Sequence, residues 1–386
     1  MRHCLIDCKK GFPMNHKRRF LSFLLLMGLL LSAHLPSAAA SSYTPQWKHI
    51  QRELDCQGQK IVIDAITDTN LPETVCEYKA SLRVMTEEKL RNFVSVAAPG
   101  YENMPLVWPR SPESDAYYEW SLKDEEAGIL ASPAIPFGLE RYLETRERLS
   151  VGTSFDCTHF YKEPIDPHAV ESLKELSYPN ALKLLEPILA ATELSLGEPQ
   201  LVKVYNLDTF IANQEHDNKD FHENNNYTWC ANEEVYKIQY PIYFEGLRLH
   251  TLGGGLVIGN KSIAYTSLDT ILQADGTLLE LHVDSIMDDP IASGSEAKPL
   301  SLEQILDIYT QFSSSIILPD YVEPRVSRIS LEYLVWLQRT GALPTYHLVP
   351  VWCFYLPYLP TPDEPAAYYD YVQYFNAVTG ECLVMD

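Results

Sequence analysis

The residues best equipped for chemistry in this 386-residue chain run together from Glu215 to Glu223. Imidazole nitrogens and carboxylate oxygens are the donors that divalent cations take from proteins. His216, Asp217, Asp220, His222 and Glu223 are therefore the candidate metal set. A spacing of six puts the two histidines on different faces of a helix, and Asn224-Asn225-Asn226 continues the run as a loop. A solvated acidic loop is the simpler expectation, and cation binding is the chemical alternative. A second group, Glu113, Asp115, Glu119, Asp124 and Glu125, offers paired carboxylates of the kind glycosidases use. Tyr117, Tyr118 and Trp120 are interleaved with it, and their rings can stack on a sugar or a peptide. With 52 acidic residues against 30 basic ones, such carboxylate clusters arise from composition alone. Tyr355, Tyr358, Tyr368 and Tyr369, with Tyr371 and Tyr374, flank a proline-rich loop at 356–367 and suit contact with a protein partner.

No complete catalytic motif accompanies these groups. Gly253-Gly254-Gly255 and Gly259 lack the lysine of a phosphate loop, and Ser293-Gly294-Ser295 lacks the frame of a nucleophile elbow. H-E-x-x-H and C-x-x-C are absent. The sequence thus assigns no catalytic residue, implies no cofactor and leans away from an enzyme. A secreted hydrolase acting on peptide or glycan, or a divalent-cation-binding protein, is the alternative.

The amino terminus carries an export pattern. Basic Lys17-Arg18-Arg19 precedes the apolar run Phe20–Ala33, and the small-residue tract Ser37–Ala40 follows. That order is a signal peptide with cleavage expected after Ala40. The apolar run is shorter than the roughly 20 residues a spanning helix needs. Met14 is an alternative start. His34 stands where a lipoprotein signal has cysteine, so lipidation is not expected. Residues 1–40 carry a net charge of +5, and their removal takes the chain from −22 to −27. A polyanion of this kind disfavours nucleic acid as a partner. Cys56, Cys76, Cys157, Cys230, Cys353 and Cys382 remain, and in an exported protein they are candidates for disulfides. Cys56–Cys76 and Cys353–Cys382 are the expected pairs among 15 connectivities for six thiols.

The elements that must position these groups read as strands interrupted by a few helices. Lys60–Ile66 and Glu77–Val84 have β composition, and Thr86 caps a helix carrying Leu90 and Phe93. Ser177 opens a helix with a leucine face interrupted by Pro187. Strands are expected at 201–205, 235–244, 262–266, 278–283, 326–329, 333–337, 346–355 and 371–377. Ser301-Leu-Glu-Gln304 is a capping box opening a helix with Ile305 and Tyr309 inward. The expected fold is α+β, with mainly antiparallel sheets and two sub-domains, 41–197 and 198–386, behind the signal at 1–40.

Tyr346-His-Leu-Val-Pro-Val-Trp352 and Tyr374-Phe-Asn-Ala-Val-Thr-Gly-Glu-Cys-Leu383 resemble the closing hairpin of PepSY-like and YycH/YycI-like extracytoplasmic proteins. Read physically, Asn376 and Gly380 are the turn formers of this hairpin, and Phe375, Val378 and Leu383 are its expected packing residues. More loosely, the chain resembles a secreted Firmicutes lipoprotein family of unknown function, domain-of-unknown-function family 6034. The resemblance implies a non-catalytic envelope protein and transfers no catalytic residues. The expected function is an exported protein that binds or regulates another extracytoplasmic protein.

Overall fold

The computed structural model describes residues 46–108, 120–134, 137–141, 170–220, 226–250, 257–258, 261–264, 266–283, 286–288, 290–315, 325–338, 344–357 and 370–383. Two sheets dominate. The larger contains β1 (Trp47–Cys56), β2 (Gln59–Asp68), β3 (Tyr78–Ser81), β10 (Tyr243–Phe244), β11 (Leu247–Leu249), β12 (Val257–Ile258), β13 (Lys261–Ile263), β16 (Ile291–Ala292), β17 (Arg325–Gln338), β18 (Thr345–Pro357) and β19 (Asp370–Asn376). The smaller contains β4 (Leu106–Val107), β5 (Ser121–Asp124), β6 (Ile129–Ser132), β7 (Phe137–Arg141), β8 (Leu201–Tyr205), β9 (Val235–Tyr240), β14 (Leu268–Gln273) and β15 (Leu278–Val283). Four α-helices lie among the described residues: α1 (Glu87–Ala97), α2 (Tyr178–Ala190), α3 (Leu207–Asp220) and α4 (Leu302–Ser313). The fold class is α+β, as expected. None of the described helices is long and apolar enough to cross a membrane.

Pairing is antiparallel almost throughout. The exceptions are β17 with β2 and β17 with β11, which run parallel. Both sheets draw strands from either side of the expected 197/198 boundary, since β1–β3 share a sheet with β17–β19. One core holds residues from both sheets together with Leu90, Phe93 and Val94 of α1, Tyr178 and Leu185 of α2, and Ile305 and Tyr309 of α4. The second face of the larger sheet carries its own cluster, including Leu334, Trp336, Val351, Cys353, Tyr355 and Tyr374. The outer face of the smaller sheet packs Tyr205, Val235, Ile271 and Leu279 with Phe210 of α3 and Trp229.

Local chemistry explains where these elements start and stop. The β1–β2 hairpin turns at Gln57 and Gly58, both with positive φ (56° and 93°), and Asp55 Oδ1 accepts the Gly58 N–H at 2.9 Å. Thr86 caps α1 through its hydroxyl, which accepts from Lys89 N. Ser301 and Gln304 form the expected reciprocal box: Gln304 N donates to Ser301 Oγ and Ser301 N donates to Gln304 Oε1. Ser301→Ala removes one arm of that box and is expected to cost about 1 kcal/mol. The check is a lowered urea midpoint with an unchanged slope. At the tail, Asn376 Oδ1 accepts from Val378 N and Thr379 N at 2.9 Å each, and Gly380 takes a φ of 75°. These two residues form the turn read from the sequence.

Candidate functional site

Within the sequence-derived metal segment, residues 215–220 are helical where a loop was expected. Residues 207–220 form α3, because Asn206 Oδ1 accepts Thr209 N at 3.0 Å and Phe210 anchors the first turn against Tyr205 and Trp229. His216 is an exposed residue of this helix, and Asp217 and Asp220 also belong to it. His222 and Glu223 lie outside the described residues. In the carboxylate group, Asp124 Oδ1 accepts from Glu126 N and Ala127 N and so shapes the β5–β6 turn, while Glu125 pairs with Lys123 at the surface. Glu113, Asp115, Tyr117, Tyr118 and Glu119 lie outside the described residues. Trp120 packs half-buried against the main core.

The second aromatic set needs correction at Tyr355, which is fully buried and faces the second face of the larger sheet. Tyr374 is buried beside it, and Tyr358, Tyr368 and Tyr369 lie outside the described residues. The disulfide expectations fail for geometric reasons, with no sulfur–sulfur bond formed in either pair. Cys56 ends β1 at the hairpin turn, whereas Cys76 follows the far end of β2. Ten residues of strand, roughly 33 Å, separate the two ends. The Cys76 thiol instead donates to the Glu77 and Gly294 carbonyls. Cys353 and Cys382 lie on opposite faces of the sheet, Cys353 in the second-face cluster and Cys382 against the main core.

The structure assembles a different cluster, one that strand alternation builds across four strands. On β17, Ile329, Leu331, Tyr333 and Val335 point to the main core, so Arg328, Ser330 and Glu332 share the other face. Register places Ser330 opposite Cys353 and Arg328 opposite Tyr355 on β18, with Cys353 opposite Tyr374 on β19. On the far side of β17, β11 sets Arg248 opposite Glu332. His250, just beyond β11, is fixed through its backbone: His250 N donates to Tyr333 O, and Thr266 Oγ1 donates to His250 O.

Glu332 is the centre of this cluster and has no exposed surface. Its Oε2 lies 2.9 Å from His250 Nδ1 and accepts from Tyr355 Oη at 2.8 Å. Its Oε1 accepts from Ser330 Oγ at 2.6 Å and faces Arg328 Nη2 at 3.6 Å and Arg248 Nη1 at 3.9 Å. Burial alone raises a carboxyl pKa. The Arg248 charge, the hydrogen bond from His250 and the Arg328 charge outweigh burial here and hold Glu332 far below the ordinary carboxylate range, so it is ionised. His250 Nε2 meets Tyr374 Oη at 2.9 Å. The network is satisfied when a neutral imidazole donates from Nδ1 to Glu332 and accepts at Nε2 from Tyr374. The Arg328 guanidinium lies over the Trp47 ring at 4.6 Å and the Tyr355 ring at 5.5 Å. Asp68 lies close enough to feel its charge. Burial raises that carboxyl, opposed by donation from Asn70 N and Gln46 N and by Arg328.

Cysteine, histidine and glutamate side by side invite comparison with a nucleophile–base–acid relay. The geometry does not make one. The Cys353 thiol (3.8 Å) and Glu332 both approach Nδ1, whereas a relay needs them on opposite ring nitrogens. Burial, and then the Glu332 charge, push the Cys353 thiol well above its ordinary value, so it is protonated. Among the described residues, His250, Glu332 and Cys353 are the group whose ligand atoms converge, all within 4.8 Å of one another.

No family model matches the chain, and no curated protein matches it. Its fold is similar to that in the crystal structure of an uncharacterized protein from Eubacterium rectale. The TM-score is 0.60 and the identity 13%, over 87% of this chain and 94% of that one. At that identity the likeness concerns the fold alone.

Proposed function

We propose that the chain is exported, acts outside the cytoplasm without turning over a substrate, and binds another extracytoplasmic protein along one edge of its larger sheet. The basic, apolar and small-residue order of residues 17–40 supports export. The observation that carries partner binding is the contrast between two edge strands of that sheet, β1 and β16. At one edge, β1 shows solvent Lys48, His49, Gln51, Arg52 and Glu53, the charged guard that keeps a long edge from pairing with other chains. At the other, β16 presents Ile291 at 75% exposure beside exposed Ala292. This edge continues past β16, since Ser293 N donates to Glu77 O and Ala297 bridges Val75. Exposed Ile291 and Ala292, bordered by Pro290 and by exposed Asp288, Glu296 and Lys298, offer an extended segment a short opening, where its main chain adds to the sheet while its side chains cover Ile291. The partner that fits is an exported protein offering an extended apolar stretch, and the charge of −22 turns anionic polymers away.

Photo-crosslinking in the native host tests this reading. A benzophenone side chain at Ile291 is expected to trap one extracytoplasmic protein, and the same probe at Lys48 is expected to trap none. Ile291→Asp is expected to weaken the isolated complex at least tenfold while leaving the circular dichroism unchanged. Equal trapping at both positions, or a complex indifferent to Ile291→Asp, overturns the proposal.

A further inference from the structure

Partner binding leaves unexplained why four kinds of donor converge in the interior. His250 Nδ1 lies 2.9 Å from Glu332 Oε2, 3.2 Å from Tyr355 Oη and 3.8 Å from Cys353 Sγ, and Tyr355 Oη is 2.8 Å from Glu332 Oε2. The geometry points to a site for a divalent transition-metal ion of the zinc class, held by Cys353 Sγ, His250 Nδ1 and Glu332 Oε2 with Tyr355 Oη as fourth donor.

Distances and donor chemistry both lead there. With bonds of about 2.0–2.3 Å, tetrahedral donors stand about 3.3–3.7 Å apart. The separations of 3.2 and 3.8 Å are already close to that spacing. The two hydrogen-bonded pairs must open by about half an ångström: the ion replaces the proton between His250 Nδ1 and Glu332, while the Tyr355 hydroxyl keeps its proton and binds through an oxygen lone pair. A mixed sulfur, nitrogen and oxygen set selects zinc or cobalt over calcium and magnesium, which take oxygen donors.

The surroundings act as an outer shell does at a metal. Tyr374 Oη holds the far nitrogen of His250 at 2.9 Å and so fixes the ring plane. Ser330, Arg328 and Arg248 engage the carboxylate oxygen that faces away from the donors. Binding is balanced in protons and charge. The Cys353 S–H bond breaks, its proton leaves to solvent and a sulfur–metal bond forms. The imidazole proton moves from Nδ1 to Nε2, and Tyr374 turns from donor to acceptor. Thiolate and carboxylate then neutralise the dication. His250, Glu332, Cys353 and Tyr355 have no exposed surface. A closed set of four protein donors makes the ion structural, and it enters as the strands assemble.

The test is refolding of the full-length protein from chelator-containing denaturant with cobalt(II). One equivalent is expected to survive desalting, with a thiolate-to-cobalt charge-transfer band that zinc(II) abolishes. Cys353→Ser is expected to lose the band, and Tyr374→Phe to bind at least tenfold more weakly, the scale of an outer-shell loss. His216→Ala, on α3, is expected to change neither. X-ray absorption of the zinc-loaded wild type is expected to show one sulfur at about 2.3 Å with lighter neighbours, a readout that does not depend on any variant folding. Absence of the band in the wild type, its survival in Cys353→Ser, its loss in His216→Ala, or a zinc shell without sulfur each overturns the proposal.

Discussion

Glu332→Ala, in chelator-treated protein, is expected to lower the free energy of unfolding by about 3–5 kcal/mol. Two effects add. The substitution opens a void on the second face of the larger sheet. It also leaves the guanidiniums of Arg248 and Arg328, 5% and 7% exposed, without the anion that both face. A buried charge stripped of its partner cannot recover hydration, so its desolvation cost appears in full. Glu332→Gln separates the two contributions. It keeps the volume and one carbonyl acceptor, removes the charge, and is expected to cost less than the alanine variant. Glu303→Ala breaks an ion pair with Arg52 between exposed side chains and is expected to leave the midpoint nearly unchanged, because water replaces such a pair readily. Urea titrations of the three variants, compared at constant slope, decide the matter. A Glu332→Ala midpoint as close to wild type as that of Glu303→Ala would contradict the reading of the cluster as an electrostatic keystone.

Gly138→Ala is expected to be as damaging, at about 3 kcal/mol or more, from backbone strain and overpacking together. Gly138 sits in β7 opposite Ser132 of β6 and His282 of β15, with φ at 145°. A Cβ there would stand 1.8 Å from the Leu281 carbonyl oxygen and within 3 Å of two more backbone atoms of β15. No rotamer change relieves a collision with a paired strand, so the ladder itself has to part. Gly58→Ala is the matched control. Its φ is also positive, yet nothing lies within 4 Å of the added methyl. It should show only the conformational cost, about 1 kcal/mol. Soluble yield and denaturation midpoint report both, and equal midpoints for the two variants would refute the collision argument.

Much of the secondary structure was legible because local signals coincide with tertiary burial. Thr86 and Ser301 cap the helices they were expected to cap, and Asn376 and Gly380 turn where expected. The segments 326–329 and 333–337, read as two strands, form one strand of 14 residues. Ser330 and Glu332 look like an interruption in sequence and are instead the inward polar row of a continuous strand. α3 was missed because its polar run hides the few residues that anchor it, chiefly Phe210 and the cap Asn206. The buried cluster was missed for a deeper reason. Arg248 with His250, Arg328 with Ser330 and Glu332, and Cys353 with Tyr355 each show charged or polar residues on alternate positions of an apolar strand. That local signal was available, but their meeting depends on strand register between segments distant in sequence. The disulfide pairs failed on the same ground, since nearness along the chain says nothing of which face a residue takes.

The parallel pairing of β17 with β2 constrains how the protein comes into being. Val62 and Ile63 lie beside Arg325 and Val326, so one of the first strands waits for nearly the last part of the chain before it gains its second neighbour. The hairpin of β1 and β2 closes through a two-residue turn and can form early. Alone it is only marginally stable in water. Contacts of such long sequence separation delay folding, because loop closure must be met before they stabilise anything. Until residues 325–338 are available, β2 therefore lacks its second neighbour, and the larger sheet is completed only when nearly the whole chain is present.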